Sequence, residues 1–395
     1  MWRLVCRVLL RLLPPRAHVV VHGWPDDEGN AVEILRALSR RYRGKIYWLL
    51  SDPSYSGPPH AAAELTDGSR IVRVGKDSLI SLPLALTAEA TFFTHGLFTA
   101  VPPPDNRLVV NLWHGDGPKL ALDTHLIRST VAVAGTALWG GQRSQRFGLP
   151  AHSIAVVGNP RVDQFRVAPR AEILERLGIS SVDQTIVWLP TYRSALAPHG
   201  RAWSDGDSLV RSATIGEIVS AISNAESELG ARLVVKPHPL DSDAYEELGI
   251  PIIRHENLAA AGVTLYQLLG AADAIISDIS SVWVDFLSLD RPIGFYVPDL
   301  EEFQGRQRLN VDDVAGLLPG PRIRTAEDAR RFVSGVVTDP SQLRPSRYPG
   351  FDRIGVVAGE GVADRLLDWL DDYQKGRGRN VLFRVGSPRS QNLRD

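Results

Sequence analysis

Several chemically useful side chains in this sequence come directly after short apolar runs, where strands would end. His114 follows VVNLW, and the next residues read GDGPK, with Gly115, Asp116 and Lys119. A histidine can exchange a proton near neutral pH, and the glycines allow a tight backbone turn beside it. The pattern indicates an imidazole held at a strand end for proton transfer, although a histidine that only packs in such a turn would have the same spacing.

A second group of such residues lies further along the chain. His238 stands between two prolines in VKPHP, beside Lys236, and the prolines give the imidazole a defined direction. The position favours contact with a phosphate, while a lone histidine is more often structural. Thr191 and Arg193 follow the apolar run IVWLP and are further candidate ligand-binding residues at a strand end.

The strongest local signal is SDISSVWVDFLSLDRPIGFY, residues 277–296. A strand that ends at Asp278 is followed by Ser280 and Ser281, which can cap a helix. A helix N-terminus presents free N–H groups and a positive dipole end, so the segment predicts a phosphate-binding turn. Asp285 could accept a hydrogen bond from a ribose hydroxyl. Simple capping by the serines and an ordinary solvated carboxylate are the alternative interpretations.

The elements that must position these residues alternate between strands and helices. Helical stretches such as 30–42 separate short apolar runs, and nearly continuous apolar strands are typical of a parallel sheet covered on both faces. The sequence therefore predicts an α/β fold of two doubly wound, Rossmann-like domains facing a cleft, with ligands beyond the carboxyl ends of the strands. The predicted strands lie at 18–22, 45–50, 71–74, 90–95, 107–113, 155–158, 185–190, 231–237, 251–255, 274–278 and 292–296.

The predicted boundaries place the first Rossmann-like domain at 17–165 and the second at 166–373. Residues 1–16 read as an amphipathic helix with a basic stripe, too short to span a bilayer and typical of a peripheral anchor on anionic lipid. A first helix packed on the domain is the alternative. Residues 374–395 are basic with interspersed Gly and Ser, which predicts a disordered tail.

Composition excludes several classes of function. The chain has 395 residues with 44% hydrophobic and 23% charged residues, which suits two globular domains. A formal net charge of -1 gives no overall field that would attract nucleic acid. The single cysteine, Cys6, excludes a disulfide scaffold and a thiolate metal cluster. We expect neither a bound metal nor a cofactor, because no spacing typical of a metal site occurs.

Five motifs together resemble the CDP-glycerol glycerophosphotransferase family, the enzymes that prime and polymerise poly(glycerol phosphate) in teichoic-acid or capsule-like chains. The resemblance covers residues 17–370 and implies a GT-B-like fold. It also implies a CDP-alcohol donor on the second domain, an acceptor on the first, and peripheral attachment to the cytoplasmic face of the membrane. The motifs are NLWHGDGPKL, GNPRVDQF, VWLPTYR, KPHP and SDISSVWVDFLSLDRPIGFYVPDLEEF.

The resemblance implies a reaction and roles for the main residues. A glycerol phosphate or other polyol phosphate unit would pass from a CDP-alcohol to a hydroxyl of a lipid-linked or polymeric acceptor, and CMP would leave. His114 would be the general base for the acceptor hydroxyl. His238 would bind the diphosphate together with Ser280 and Ser281.

The remaining motif residues have less defined roles. Arg161 and Arg193 lie in matching basic positions, and at least one is expected to contact phosphate. Gly115, Asp116 and Lys119 would lie on the acceptor side; Lys119 is kept, whereas Asp116 stands where the family usually has a threonine. The motifs leave open whether the polyol is glycerol, ribitol or another, and whether the protein is a primase or a polymerase.

Two other functions are compatible with parts of the pattern. A GT-B glycosyltransferase or epimerase would use a UDP-sugar on the same double fold, and a donor screen distinguishes it. A non-catalytic module would bind a polyanion or a membrane through its basic ends, and it would tolerate the loss of both His114 and His238.

Overall fold

The structure is a computed structural model of the chain. The residues that it describes are 2–66, 70–96, 101–104, 106–119, 127–180, 183–190, 216–222, 224, 229–237, 251–298, 300, 309 and 311–383. The chain forms two compact units. The first unit comprises Met1–Gly115, Leu122–Asp163 and Val357–Asp395, and the second comprises Asp116–Ala121 and Gln164–Val356.

The first unit is built on a seven-stranded sheet in which all neighbouring strands are parallel. The spatial order is β3-β2-β1-β4-β5-β6-β7, so the direction of winding reverses between β1 and β4. Such a reversal is where doubly wound sheets bind ligands. The strands are β1 (Arg16–His22), β2 (Lys45–Leu50), β3 (Ile71–Gly75), β4 (Ala88–Phe93), β5 (Leu108–Asn111), β6 (Val131–Ala134) and β7 (Ile154–Val156).

In the described part of the chain, five α-helices of the first unit come before residue 164. They are α1 (Trp2–Leu12), α2 (Gly29–Arg41), α3 (Pro59–Thr66), α4 (Ser81–Thr87) and α5 (Ala137–Phe147). The Thr136 hydroxyl caps α5 at Trp139 N, and Gly148 ends it in the left-handed conformation. Among the described residues, no helix has both the length and the apolar character needed to cross a membrane.

The second unit contains a four-stranded parallel sheet in the order β11-β10-β8-β9. Its winding reverses between β8 and β10, so the residues after β10 lie at the ligand-binding position of this sheet. The strands are β8 (Gln184–Leu189), β9 (Ala231–Val235), β10 (Ala274–Ser277) and β11 (Ile293–Phe295). Both parallel sheets confirm the predicted α/β fold class.

The helices of the second unit are short, and side-chain caps begin several of them. Thr264 and Gln267 form a capping box, and so do Thr325 and Asp328. Residues 216–222 are also helical. The helices of this unit whose two ends are both described are α6 (Arg170–Arg176), α7 (His255–Ala261), α8 (Leu265–Ala271), α9 (Val282–Phe286), α10 (Ala326–Thr338) and α11 (Pro349–Ile354).

The last helix, α12 (Val362–Gly376), belongs to the first unit. Its apolar face joins the core of that unit, where Leu366, Leu367 and Leu370 are fully buried. The Asp163 carboxylate accepts hydrogen bonds from the first two N–H groups of α12, at 2.8 and 2.9 Å. The division therefore differs from the predicted one, which placed residues 166–373 in a single second domain.

Two local assignments from the sequence were also incorrect. The run at 251–255 is not a strand, because Ile252 makes a single bridge to Val235 and His255 already begins α7. β6 was not predicted from the sequence. The other predicted strands are present, with ends displaced by at most two residues.

Candidate active site

His114 lies three residues beyond the end of β5, on a turn with an unusual backbone. Trp113 has φ +60° and Gly115 has φ +144°, a range that glycine adopts far more readily than other residues. The Asn111 side chain accepts a hydrogen bond from Trp113 N at 3.0 Å and stabilises the turn. The sequence prediction of a tight turn beside His114 is confirmed at Gly115.

Two buried side chains hold the main chain of this turn. Asn30, in the first turn of α2, donates from Nδ2 to the Trp113 carbonyl at 3.1 Å and accepts from Arg161 N at 3.0 Å. Arg161 donates from Nη1 to the His114 carbonyl at 2.8 Å. Glu28 lies 3.7 Å from the same Nη1 and balances its charge. The direction of the His114 main chain is thus fixed by α2 and by the PRVDQF motif.

A third side chain completes this arrangement. Arg143, on α5, donates from Nη2 to the Gly115 carbonyl at 3.4 Å. Three successive carbonyls therefore accept hydrogen bonds from Asn30, Arg161 and Arg143, which we call the carbonyl clamp. The sequence analysis did not select Asn30 or Arg143, because neither follows a strand, and a helical asparagine or arginine carries no recognisable signal.

Arg161 has a different environment from the one that the sequence suggested. It was predicted to contact phosphate, but its side chain is only 10% exposed and bonds the His114 carbonyl. A buried guanidinium that is hydrogen-bonded and paired with Glu28 stabilises the turn. A direct contact of Arg161 with phosphate stays a prediction.

Aromatic rings surround the His114 imidazole. The His95 ring stacks on it with a centroid distance of 4.2 Å and an interplanar angle of 12°, and the Trp113 ring lies at 4.2 Å and 33°. Trp24 contacts His95 edge-on at 5.4 Å. The sequence analysis missed His95, which follows β4 as His114 follows β5. The signal was present, since THG after an apolar run resembles WHG after the next one.

The surroundings keep both imidazoles neutral. The pKa of His114 is lowered to about 3, first by burial and then by the nearby His95, Arg161 and Arg143, against a contact with the Thr94 main chain that raises it. Burial, followed by His22 and Arg161, lowers the pKa of His95 to about 4. Neutral imidazoles at pH 7 have a lone pair available, so His114 is in the form that a general base requires.

The predicted phosphate-binding turn of the second unit is well ordered by its own hydrogen bonds. The Asp278 carboxylate accepts from Ser280 N at 3.0 Å, and the Ser280 hydroxyl accepts from Val282 N at 3.3 Å. Asp278 is almost fully buried, whereas Ser280 and Ser281 are partly exposed. Ser280 therefore caps α9, as the alternative interpretation allowed, and Ser281 makes no side-chain capping bond.

Asp285 lies inside the second unit rather than at its surface. Its carboxylate accepts a hydrogen bond from the Tyr266 hydroxyl at 2.5 Å, and both side chains are buried. Phe165 stacks on the Tyr266 ring at 5.3 Å. This environment indicates a structural carboxylate, so the predicted ribose contact of Asp285 has no support from its surroundings.

The residues after Gly115 pass into the second unit. Asp116 is buried there, Lys119 forms an antiparallel bridge with Leu309, and Gly117 lies against Ser281. A Cβ placed on Gly117 would be 3.2 Å from the Ser281 Cα. The sequence analysis assigned Asp116 and Lys119 to the acceptor side on the first domain. The structure instead places them in the unit that carries the serine turn.

Four further predicted site residues complete the set. Lys236 follows β9, donates from Nζ to the Pro237 carbonyl at 2.9 Å, and has its pKa lowered by burial. His238, Thr191 and Arg193 lie outside the described residues, so their predicted roles stay predictions. In the part of the chain that the structure describes, no group of three or more His, Cys, Asp or Glu is placed to hold a metal ion.

Comparisons with known proteins extend these observations. Residues 136–361 match the family described as CDP-Glycerol:Poly(glycerophosphate) glycerophosphotransferase. A teichoic acid poly(glycerol phosphate) polymerase of Bacillus spizizenii is 29% identical over 298 residues, which cover 67% of this chain and 70% of that protein. A teichoic acid glycerol-phosphate primase of Bacillus subtilis is 25% identical over 226 residues, which cover 57% of this chain and 53% of that protein.

The fold has a counterpart among solved structures. The wall teichoic acid polymerase TagF superimposes with a TM-score of 0.67 at 15% sequence identity, and the match covers 94% of each chain. Identity at this level shows a shared fold and nothing finer. The predicted GT-B-like architecture is confirmed.

Proposed function

The chain belongs to the CDP-glycerol:poly(glycerophosphate) glycerophosphotransferase family and is an enzyme of that family, and on this premise we propose its reaction. It transfers a glycerol phosphate unit from CDP-glycerol to a hydroxyl of a polymeric or lipid-linked polyol phosphate and releases CMP, in the synthesis of a teichoic acid. The named relatives, a polymerase and a primase of such chains, support this substrate class.

The transfer is a substitution at phosphorus. The acceptor oxygen bonds to the phosphorus that carries the glycerol, and the bond from that phosphorus to the CMP oxygen breaks. The hydroxyl proton passes to a base, and the charge that develops on CMP needs nearby hydrogen-bond donors. The enzyme must supply a neutral base for the acceptor and donors for the diphosphate.

The neutral His114 imidazole carries the proposal. Its turn lies at the carboxyl edge of the first sheet, and the carbonyl clamp fixes its main chain. The depressed pKa of His114 keeps the imidazole unprotonated, with its lone pair available, throughout the neutral range. We assign it the role of general base.

The serine turn supports the donor side of the proposal. Ser280 and Ser281 follow β10 at the reversal point of the second sheet, where such folds bind nucleotides. Asp278 orders this turn. The proposed diphosphate contacts of Ser280 and Ser281, together with those of His238 and Arg193, rest on the family motifs.

The N-terminal helix supports a peripheral position at the cytoplasmic face of the membrane. Cys6 and Leu10 pack inward, which agrees in part with the alternative of a packed first helix. Other apolar residues of α1 are exposed to solvent, Leu4 to 64% and Leu12 to 74%. Helix α1 contacts α4, and Leu79, just before α4, is 95% exposed. The exposed Arg7 and Arg11 of α1 add attraction to anionic lipid.

Release of CMP tests the proposed reaction. Purified protein is given CDP-glycerol, CDP-ribitol or UDP-N-acetylglucosamine, each with and without a lipid-linked glycerol phosphate acceptor. We expect acceptor-dependent CMP from CDP-glycerol and a loss of about 10²- to 10⁴-fold in kcat for His114→Ala. His152→Ala, at an exposed histidine of the same unit, is the matched control and should keep full activity.

The outcomes separate the candidate functions. Turnover of UDP-N-acetylglucosamine without CMP from any CDP-alcohol would replace the proposal with a sugar-nucleotide enzyme. Full CMP release by His114→Ala would remove His114 from the mechanism. For the membrane, co-sedimentation with phosphatidylglycerol vesicles should exceed that with phosphatidylcholine vesicles, and Leu4→Glu with Leu12→Glu should abolish the difference.

A further inference from the structure

His95 occupies the reversal point of the first sheet. His22 ends β1 and pairs in register with Phe93 at the end of β4, so the residues that follow these two strands lie side by side. They include Trp24 and His95, whose rings contact at 5.4 Å. A doubly wound sheet binds its ligands at this point, beyond the carboxyl ends of the two strands where the winding reverses.

The hydrogen bonds of Thr94 determine which nitrogen of His95 carries the hydrogen. The Thr94 side chain is fully buried, and its Oγ1 accepts from Trp24 N at 3.2 Å. Its own hydroxyl hydrogen therefore needs an acceptor, and His95 Nδ1 lies at 2.9 Å. When Thr94 donates to Nδ1, the neutral ring must carry its hydrogen on Nε2.

The Nε2–H group of His95 is available to a ligand. His95 is exposed, and among the described residues no hydrogen bond to its Nε2 is present. The edge of the ring offers a donor and no acceptor, which matches an oxygen that only accepts, such as that of a phosphodiester.

We propose that His95 is a second acceptor-binding residue, whose Nε2–H donates a hydrogen bond to a phosphate oxygen of the acceptor beside the hydroxyl that His114 deprotonates. The proposal rests on the proposed transferase function and deepens it. The stacked rings of His95 and His114, 4.2 Å apart, place a phosphate donor and a proton acceptor next to each other.

The neutral state of His95 suits this position. A charged imidazolium stacked on His114 would oppose the positive charge that His114 gains with the proton. Although His95 is exposed overall, partial desolvation of its ring, followed by the nearby His22 and Arg161, lowers its pKa and keeps it neutral. A neutral donor can therefore bind the acceptor phosphate without placing a full positive charge beside the imidazolium that His114 becomes.

Two substitutions test separately the Nε2–H donor of His95 and the stacking of its ring. His95→Phe keeps a flat ring that can stack on His114 but removes both nitrogens. His95→Gln removes the ring but can place an amide N–H near the position of Nε2. For a glycerol phosphate acceptor we expect KM to rise about 10- to 100-fold in His95→Phe, as for a lost hydrogen bond to a charged group, and to recover largely in His95→Gln.

A comparison of two acceptors, one with and one without a phosphate next to the terminal glycerol, tests the proposal more directly. His95→Phe should lose its KM effect with an acceptor that ends in glycerol but has no phosphate next to it. The KM for CDP-glycerol should not change, and His152→Gln serves as the matched control. An unchanged acceptor KM in His95→Phe, or an equal loss in both His95 variants or with both acceptors, would overturn the proposal.

A measurement that does not need turnover keeps this inference separate from the proposed reaction. Long-range ¹H–¹⁵N spectra of protein with ¹⁵N-labelled histidine report the tautomer of each ring, and His95→Gln assigns the resonance. We expect the Nε2–H form, with a shift of that nitrogen when glycerol 3-phosphate is added. An Nδ1–H form, or no shift at saturating glycerol 3-phosphate, contradicts the inference even if CMP release is observed. Absence of CMP release with the expected shift removes only the transferase function.

Discussion

The carboxyl edges of the two sheets present different kinds of chemistry. In the first unit, side chains line the edge, and His95 and His114 stack with their charges suppressed by burial. In the second unit, the edge is a turn in which the Asp278 carboxylate accepts from Ser280 N and the Ser280 hydroxyl accepts from Val282 N. Titratable side chains dominate one edge, and hydrogen-bonded main chain dominates the other.

This difference shows that a proton-accepting group and a phosphate-binding turn have different structural requirements. A base must change its protonation during each turnover, so its ring has to be accessible and its surroundings must set its pKa. A phosphate-binding turn needs fixed donors whose charge does not change, and a buried carboxylate such as Asp278 can hold them without meeting the ligand. The first edge should therefore respond to changes in charge and the second to changes in shape.

Among the substitutions that test this difference between the two edges, the largest effect is expected at the carbonyl clamp. Arg161→Met removes the donor to the His114 carbonyl, and because the turn then shifts, kcat should fall about 10²-fold. The buried Glu28 carboxylate loses the Arg161 guanidinium that lies 3.7 Å away, so the free energy of unfolding should fall by about 1–3 kcal/mol. Steady-state kinetics and urea unfolding measure both effects. Arg176→Met, in an exposed pair with Glu172, is the control.

The same variant distinguishes the two interpretations of Arg161. A raised KM for CDP-glycerol with an unchanged kcat would restore the phosphate contact that the sequence suggested, and it would remove the clamp from the comparison.

A smaller effect is expected inside the second unit. Tyr266→Phe removes the hydroxyl that donates to the buried Asp285 carboxylate, so the free energy of unfolding should fall by about 1–3 kcal/mol. The KM for CDP-glycerol should change little, because neither side chain is exposed. Urea unfolding and donor kinetics check this. A large rise in donor KM in Asp285→Asn, at unchanged stability, would instead support a ribose contact.

A test of shape concerns Gly117. In Gly117→Ala the new Cβ would lie 3.2 Å from the Ser281 Cα, so the serine turn must move by a few tenths of an ångström. We expect a several-fold rise in the KM for CDP-glycerol and a stability loss of about 1 kcal/mol. Gly141→Ala on α5 is the matched control, since a Cβ there meets no atom within 4 Å. Equal donor kinetics in the two variants would show that the turn tolerates displacement.

The smallest effect is expected from moderate acid. The folded pKa values of His114 and His95, about 3 and 4, lie below the ordinary value of about 6.5. His114 therefore stays a competent base as pH falls from 7 to 5, and kcat/KM should show no acid limb near 6.5. His95, Arg161 and Arg143 face His114 and suppress its protonation, and His22 and Arg161 do so for His95.

The same groups fix the sign of the effect on stability. Unfolded histidines take up protons near pH 6.5 and folded ones do not, so the thermal midpoint should decrease as pH falls below 6.5. His114→Ala should weaken this decrease. An acid limb centred at 6.5 in kcat/KM would mean that the surroundings of His114 do not hold it neutral.

Local patterns in the sequence were sufficient to predict the fold class and the positions of His114 and the serine turn. Buried parallel strands are nearly continuous apolar runs, and ligand-binding residues follow them directly, so both features are readable within a few residues. The turn at Gly115 and the cap at Ser280 were predictable for the same reason.

Features that depend on distant residues could not be predicted. Asn30 reaches the Trp113 carbonyl across 83 positions of sequence, and Tyr266 reaches Asp285 from another helix. The burial that lowers the pKa of His114 and the guanidinium that approaches its carbonyl are likewise products of packing. A motif shows that a residue type is present at a strand end, but its partners are set by the topology.

The return of α12 to the first unit has a consequence for the synthesis of the chain. The core of that unit includes Leu366, Leu367 and Leu370 of α12. The last strand of its sheet, β7, ends at Val156, about 200 residues earlier in the chain. At about 5–20 residues per second, a ribosome needs roughly 10–40 seconds to make the intervening chain. During that interval the nascent first unit exposes the apolar surface that α12 later covers, which makes it a natural client for a chaperone while the second unit emerges.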